Sequence, residues 1–326
     1  MKKILGMGNA LTDILLQIEN DSILASLNLP KGGMQLINTE RSEEISFAVS
    51  QYDKIMATGG SASNTINGIT KLGLNAGFVG KIGKDDIGLF FTNDSVNNGV
   101  NPHLLLSETP SGRCIVLVSP DSERTLCTYL GAACELEASD LKPEMFQGYD
   151  FFHIEGYLVQ NHDLIRTAVK MAKEEGLKVS IDLASYNVVE ANLDFLHEIV
   201  KEYVDIVFAN EEEARAFTTK EPKEALIQIS NHCNIAVVKI GKEGSYIKSG
   251  DNQVQIKPRL AKAIDTTGAG DLYAAGFLFG LAKDYSLEVC GKIGSLVSGN
   301  VVEVLGAKMT DEVWEDIHAE IRKIVN

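Results

Sequence analysis

From residue 76 onward, short apolar runs follow one another at regular intervals: "AGFVGKI", "YDFFHIEGY", "KVSIDLA", "VDIVFAN" and "IAVVKIG". Between them lie helix-length stretches such as "HDLIRTAVKMAKEEG" and "LDFLHEIVKEY". Parallel strands need a long crossover, usually a helix, so this alternation predicts an α/β fold with a mainly parallel sheet flanked by helices. A chain of 326 residues accommodates that as one large domain or two smaller ones. The opening "KKILGMGNALTDILLQI" adds a buried strand, a Gly turn and a second strand.

Two regions interrupt the alternation. "VNPHLLLSETPSGRCIVLVSPDSERTLCTYLG" holds three extended runs with no helix between them and reads as an antiparallel meander. Residues 20–51 are acidic and helix-prone, broken by "LPKGGMQLIN", where Gly32 and Gly33 mark a turn before a short strand. A small accessory sheet is therefore expected from residues 11–54 and 99–131, beside an α/β core of residues 1–10, 55–98 and 132–326. From Gly268 the chain reads as helical to its end.

Charge narrows the partners. Thirty Lys and Arg stand against 45 acids, a formal charge of −15, which repels nucleic acid and anionic membranes. A small anion can still bind where a nest of backbone amides and a metal ion outweigh the global field. Lys2 and Lys3 precede an apolar run broken by Asn9 and Asp13, so no signal peptide or membrane span is expected and the cytoplasm is the default. The five cysteines (Cys114, Cys127, Cys134, Cys233, Cys290) contain no C-x-x-C pair and read as buried apolar thiols of a reducing compartment.

Two familiar nucleotide motifs fail. "GMGNAL" supplies Gly6 and Gly8, but Leu11 occupies the third glycine's place, which disfavours a nicotinamide dehydrogenase. No G-x-x-x-x-G-K-[ST] occurs. "DTTGAGDLYAAGF", residues 265–277, offers another phosphate site, because Gly268, Ala269 and Gly270 leave backbone amides bare at a helix mouth. Asp271 reads either as an acid complementing the helix dipole or as a group that handles a proton. The dipole is expected to lower its pKa, leaving a weak base, which phosphoryl transfer tolerates.

Other stretches keep two readings open. Asn210 and Glu213, in "NEEEA", are an N-capped acidic helix start or a pair holding Mg²⁺ through waters. "KIGKEGS", with Gly241 and Gly244, is a hairpin turn or a place where phosphates approach. "GGSASN" supplies Gly59, Gly60 and Asn64, suited to sugar hydroxyls. Arg124, in "DSERTL", is a solvated turn charge or an arginine that meets a phosphate.

Taken together and in this order, these elements resemble the PfkB, or ribokinase-like, family of sugar and nucleoside kinases over essentially the whole chain. The strongest match is "DTTGAGDLYAAGFL". The resemblance implies a three-layer α/β/α core with a small β-sheet lid. It also implies an anion hole at Gly268, Ala269 and Gly270, with Asp271 activating the acceptor hydroxyl. Asn210 and Glu213 then lie near Mg²⁺ and the phosphates. Asp13, Gly59, Gly60 and Asn64 hold sugar hydroxyls, and Glu155 in "FHIEG" is a further sugar-binding candidate. Lys239, Gly241, Gly244, Thr266 and Asn300 join the nucleotide-binding set. ATP and Mg²⁺ are the implied cofactors, and a monovalent cation such as K⁺ is a further expectation.

Within the family, "GGSASNTI", "LGAACELE" and "VDIVFANEEEARAF" are most similar to the adenosine kinase branch. No aromatic residues clearly clamp a purine, Tyr157 and Tyr186 being the available ones. The expected activity is ATP-dependent phosphorylation of a primary hydroxyl of a nucleoside or sugar. The alternatives are a sugar kinase of ribokinase, fructokinase or ketodeoxygluconate kinase type, and an inactive nucleoside- or sugar-binding regulator. The partner is a small molecule, with no nucleic acid and no membrane, and the protein is a monomer or homodimer.

Overall fold

A computed structural model describes residues 1–121 and 123–326. In chain order its strands are β1 (Ile4–Met7), β2 (Leu11–Gln17), β3 (Met34–Leu36), β4 (Ile55–Gly59), β5 (Ala76–Gly83), β6 (Val100–Ser107), β7 (Gly112–Val118), β8 (Arg124–Tyr129), β9 (Phe151–Glu155), β10 (Lys178–Asp182), β11 (Ile206–Asn210), β12 (Ile235–Lys239), β13 (Ser245–Ser249) and β14 (Asn252–Ile256). Nine form one sheet in the order β14-β13-β12-β11-β10-β9-β1-β5-β6. It is parallel from β12 to β6, and β13 and β14 extend it antiparallel.

Successive residues of a strand face opposite sides of a sheet. Both faces here are apolar. Ile206, Phe208 and Val237 belong to one buried cluster, with the helices Ala269–Ala282 and Leu287–Val301. Val207, Ala209, Ala236 and Val238 belong to another, with the helices His162–Glu174 and Leu193–Glu202. Near-continuous apolar strands are what a sheet covered on both faces requires, and they account for the unbroken runs in the sequence.

The second sheet has the order β3-β8-β7-β2-β4 and a separate core that includes Ile14, Leu16, Ile45 and Leu117. Its membership corrects the expected boundaries twice. The first run of the expected meander, β6, pairs parallel with β5 in the large sheet, because the helix Asp86–Asn97 makes β5 and β6 a crossover unit. Only β7 and β8 form the antiparallel pair. Conversely β4, expected in the core, pairs antiparallel with β2 in the small sheet. The cysteine expectation also needs amending. Cys114, Cys127 and Cys290 are buried, Cys233 is half-buried, and Cys134 is exposed on the short helical turn Gly131–Glu135. No helix among the described residues is long and apolar enough to cross a membrane.

The connections leave β1 in opposite directions, through β5 and β6 on one side and through β9 to β12 on the other. Such a switch point opens a crevice at the carboxyl ends of the strands, where α/β sheets bind ligands. The candidate site residues gather there.

Candidate active site

A cavity of about 1150 Å³ lies between the carboxyl ends of the large sheet and the face of the small sheet. Asn9, Glu155, Asp182, Asn210 and Lys239 reach it from the ends of β1, β9, β10, β11 and β12. Asp13 on β2 and Arg124 on β8 enter from the small sheet. Thr266, Ala269, Gly270 and Asp271 close its floor.

The Gly-rich turn starts the helix Ala269–Ala282. Gly268 is its cap residue in a left-handed conformation (φ 75°), and a Cβ there would sit 2.6 Å from that of Ala307. Gly268 thus fits the turn against its neighbour and does not line the cavity. No side chain caps the helix. The Ala269 amide donates to the Thr266 carbonyl and that of Leu272 to Gly268, while Gly270 and Asp271, in the first turn, have no intrahelical acceptor for their amides. Two open N–H groups at a helix start are suited to an anion.

Asp271 is held from the facing helix Ser61–Lys71. Ser61 Oγ donates to its Oδ1 at 2.8 Å and Asn64 Nδ2 to its Oδ2 at 3.0 Å. Burial raises its pKa to about 6 despite these hydrogen bonds, with Asp182 adding to the rise. The sequence expectation of a dipole-lowered pKa is therefore reversed, since desolvation outweighs the dipole. Asp271 is ionised at neutral pH and is a stronger base than expected.

Behind the turn, Lys239 Nζ lies 2.7 Å from Asp182 and close to Gly270, 3.1 Å from the place of a Cβ there. Burial would lower the lysine's pKa, but Asp182 and Glu213 carry it above the ordinary range. Asn210 and Glu213 form a capping box. Asn210 Oδ1 accepts from the Glu213 amide at 2.9 Å, and the Glu213 carboxylate accepts from the Asn210 amide at 2.7 Å and from its Nδ2 at 2.6 Å. The N-cap reading thus describes the pair as it stands. Burial, and next to it Asp182, pushes Glu213 up to about 7. Gly241 and Gly244 flank the hairpin between β12 and β13, and both line the cavity.

On the other side, Asp13 accepts no hydrogen bond from the protein among the described residues, and burial raises it to about 6. Gly59 does not reach the cavity. A Cβ there would lie 2.5 Å from the Asp13 carboxyl group, so the bare glycine makes room for that acid. Gly60 and Asn64 line the wall, and Asn64 Oδ1 is buried without a partner. Glu155 accepts from the amides of Asn9 and Ala62, both at 3.0 Å, which ties β9 to the β1–β2 turn and to the start of the Ser61 helix. Its pKa is pushed up to about 7 by burial.

Three expectations change here. Arg124 is neither solvated nor free. Its guanidinium pairs with Asp265 and donates to Thr267 Oγ1 at 3.0 Å, joining β8 to the segment before the Gly turn. Asn300 does not line the cavity, and its amide donates back to the Leu296 carbonyl of its own helix. Tyr157 lines the cavity but Tyr186 does not. Sequence reasoning missed Asp182, Ser61 and Asn9. An Asp closing the apolar run "KVSID" at a parallel strand's carboxyl end was the available signal for the first.

No group of three or more His, Cys, Asp or Glu side chains capable of holding a metal occurs among the described residues. The donors near the anion turn, Asn210, Glu213 and Asp182, are hard oxygen groups already engaged with protein partners. That set fits a divalent ion such as Mg²⁺ held mainly by phosphates and waters, the usual arrangement for that metal.

A doubly covered parallel sheet, a Gly-rich helix start, a buried acid and a second sheet over the cavity define an α/β fold with a ligand-sized crevice at its strand ends. Residues 34–313 match the pfkB family carbohydrate kinase model, and the chain belongs to that family. Its members are phosphotransferases acting on hydroxyl groups, so this is a sugar or nucleoside kinase. An adenosine kinase from Sinorhizobium meliloti is 35% identical with a TM-score of 0.84, over 99% of each chain. A probable sugar kinase from Rhizobium etli is 32% identical with a TM-score of 0.85, over 98% of this chain and 99% of the other. Adenosine kinase 2 of Arabidopsis thaliana is 28% identical over 93% of this chain and 94% of its own length.

Proposed function

We propose that the protein transfers the γ-phosphoryl group of ATP to a primary hydroxyl of a nucleoside of adenosine type. The placement of Asp271 carries the reading: an ionisable acid, fixed by Ser61 and Asn64, beside open amides and across the cavity from an unpartnered carboxylate. In the reaction the acceptor oxygen bonds to phosphorus as the bond from phosphorus to the ADP oxygen breaks, and the hydroxyl proton passes to Asp271. The amides of Gly270 and Asp271 and the Lys239 ammonium stabilise the charge on the transferring group. Asn210 and Glu213 would hold a divalent ion through waters, and such an ion when bound would neutralise phosphate charge.

The acceptor side favours a nucleoside. Asp13 has free lone pairs for two vicinal hydroxyls, each worth about 1.5 to 3 kcal/mol as a charge-assisted hydrogen bond. The small sheet presents Leu11, Met34, Leu36, Val116 and Leu126 to the cavity, and Met34 and Leu36 are 59% and 66% exposed. A flat base covers such an aliphatic face, whereas a sugar or sugar acid offers little to cover it with. The small sheet thereby acts as the lid that keeps water from the γ-phosphoryl group. An ADP-release screen over nucleosides, ribose, fructose derivatives and ketodeoxy sugar acids tests the reading. Turnover with adenosine at the head of the series supports it, and turnover confined to a sugar or sugar acid overturns the nucleoside assignment.

A further inference from the structure

The helix that aims Asp271 has no cap of its own. In the helix Ser61–Lys71 the cap position is held by Gly60, with φ 90° and no side chain to offer. Glycine is required there, because a Cβ would lie 2.3 Å from the Asn9 carbonyl oxygen. The Gly60 carbonyl accepts the first intrahelical bond, from the Asn64 amide at 2.9 Å, which leaves the amides of Ser61, Ala62 and Ser63 without an acceptor in the helix. An acceptor comes from another strand. Glu155, the last residue of β9, receives the Ala62 amide on Oε2 at 3.0 Å. Its Oε1 receives the Asn9 amide at 3.0 Å and also Asn9 Nδ2. Gly8 makes room for that carboxylate, since a Cβ on it would lie 2.3 Å from Oε2. The second glycine of "GMGNAL", which fails as a dinucleotide motif, thus has a place in the fold.

We infer that Glu155 is a positioning residue: it caps the Ser61 helix from outside and so fixes the Ser61 and Asn64 side chains that aim Asp271. The inference rests on the proposed role of Asp271 as proton acceptor. Ser61 and Asn64, on the first turn, each take one carboxylate oxygen of Asp271, and Thr65 Oγ1 donates to the Asp271 carbonyl at 3.1 Å. A shift of that turn therefore moves the base. A carboxylate offers about four acceptor positions. Protein donors fill three of them on Glu155, which is 1% exposed although it borders the cavity. That leaves little of it for a sugar hydroxyl, the role implied by the family resemblance. The cap needs acceptor oxygens rather than charge. A protonated carboxyl group still accepts at both oxygens, with the Asn9 side-chain amide turned to receive the proton. The cap thus persists through the titration of Glu155 near 7.

Glu155→Met fills the same space with no acceptor oxygen, and Glu155→Gln keeps one. The first readout needs no substrate. In proton–nitrogen NMR spectra the side-chain amide signal of Asn64, assigned by its loss in Asn64→Ala, should shift in Glu155→Met. The second is kinetic, near pH 8.5, above the range in which Asp13, Asp271 and Glu155 titrate. There the single-turnover rate with ATP and adenosine should fall about ten- to a hundredfold in Glu155→Met, the scale of a small misplacement of a reacting group. Calorimetric affinities for ATP and adenosine should stay within about twofold of wild type, and the Glu155→Gln rate should lie between the two. In an Asp271→Asn background, Glu155→Met should lower the rate no further. Gly8→Ala, which crowds the carboxylate out of its seat, should reproduce both effects, and it takes the place of Glu155→Met if that protein does not fold. An unmoved Asn64 signal in a folded Glu155→Met protein overturns the inference. So does an adenosine affinity that falls while the rate holds, the sign of direct contact with the acceptor. If the signal moves but the rate holds in both Glu155→Met and Asp271→Asn, the cap stands and the proposed role of Asp271 fails.

Discussion

Asn64 Nδ2 donates to Asp271 Oδ2 at 3.0 Å across the gap between two helix starts, joining residues 207 apart in the chain. The contact aims the carboxylate, leaving Ser61 to hold its other oxygen. Asp271→Asn keeps the shape and removes the base. We expect kcat to fall by about 10² to 10⁴, the range for a lost general base, with acceptor and ATP affinities within a few-fold of wild type. Single-turnover kinetics with separate binding titrations check this, and an unchanged kcat removes Asp271 from the mechanism.

The pH dependence follows from two buried acids. Asp271 and Asp13 both titrate near 6 and both act ionised. With the divalent ion saturating, so that Glu213 is kept ionised, the acceptor kcat/KM should therefore fall below about pH 6 with a limiting logarithmic slope approaching two, while kcat should approach a slope of one. A slope of one in both profiles assigns only one of the acids to the reaction.

Asp13 also affects stability. Its folded pKa lies above its unfolded one, so its contribution is fully present at low pH and is lost as pH rises through about 6. Asp13→Asn removes the buried charge and should raise the Tm of the ligand-free protein by a few degrees near pH 7.5. It should leave Tm nearly unchanged near pH 4.5, where the acid is already protonated in the folded state. Acceptor binding should drop at least tenfold in the same variant. Calorimetric melts at the two pH values check the sign, and a Tm that falls near pH 7.5 contradicts it.

The Arg124–Asp265 pair has side chains only 11% and 7% exposed. The Thr267 and Gly306 amides hold Asp265 below the usual carboxylate range against the opposing effect of burial. Arg124→Met leaves that charge without its guanidinium, and loss of one buried partner costs about 3 to 5 kcal/mol. Arg124→Lys should recover only part, because one ammonium does not reproduce the planar fork that meets Asp265 and Thr267. Urea unfolding of the three proteins measures both effects. Equal stability of wild type and Arg124→Met would show that the lid is not fastened there.

Activity should vanish in excess EDTA and return with a divalent ion. Glu213→Gln, which keeps most of the capping box, should raise the Mg²⁺ concentration needed for half-maximal rate. A rate that is full in EDTA, or a metal requirement untouched by Glu213→Gln, removes that pair from the metal site.

Much of this was legible in the sequence because periodicity is local. Unbroken apolar runs spaced by helices gave away a doubly covered parallel sheet, and "DTTGAGD" carried its turn and its acid together. What escaped depends on distant partners. β6 reads as one more strand of a meander, since nothing within it marks β5 as its neighbour. The titration of Asp271 reverses because the fold buries it, and the charge of Asp182, far away in sequence, adds to the rise. Arg124 looks like a turn charge until Asp265 arrives from 141 residues away. Asn300 has a plausible place in the chain, yet the rotation of its helix turns it onto its own backbone.

The most direct test of the proposed reaction is phosphorus NMR of purified protein with ATP, Mg²⁺ and adenosine. We predict ADP together with a phosphomonoester resonance split by coupling to the two protons of one methylene group, the mark of a primary hydroxyl. Both should be absent in the Asp271→Asn protein. ADP with inorganic phosphate alone, or an ester on a secondary hydroxyl, would contradict it.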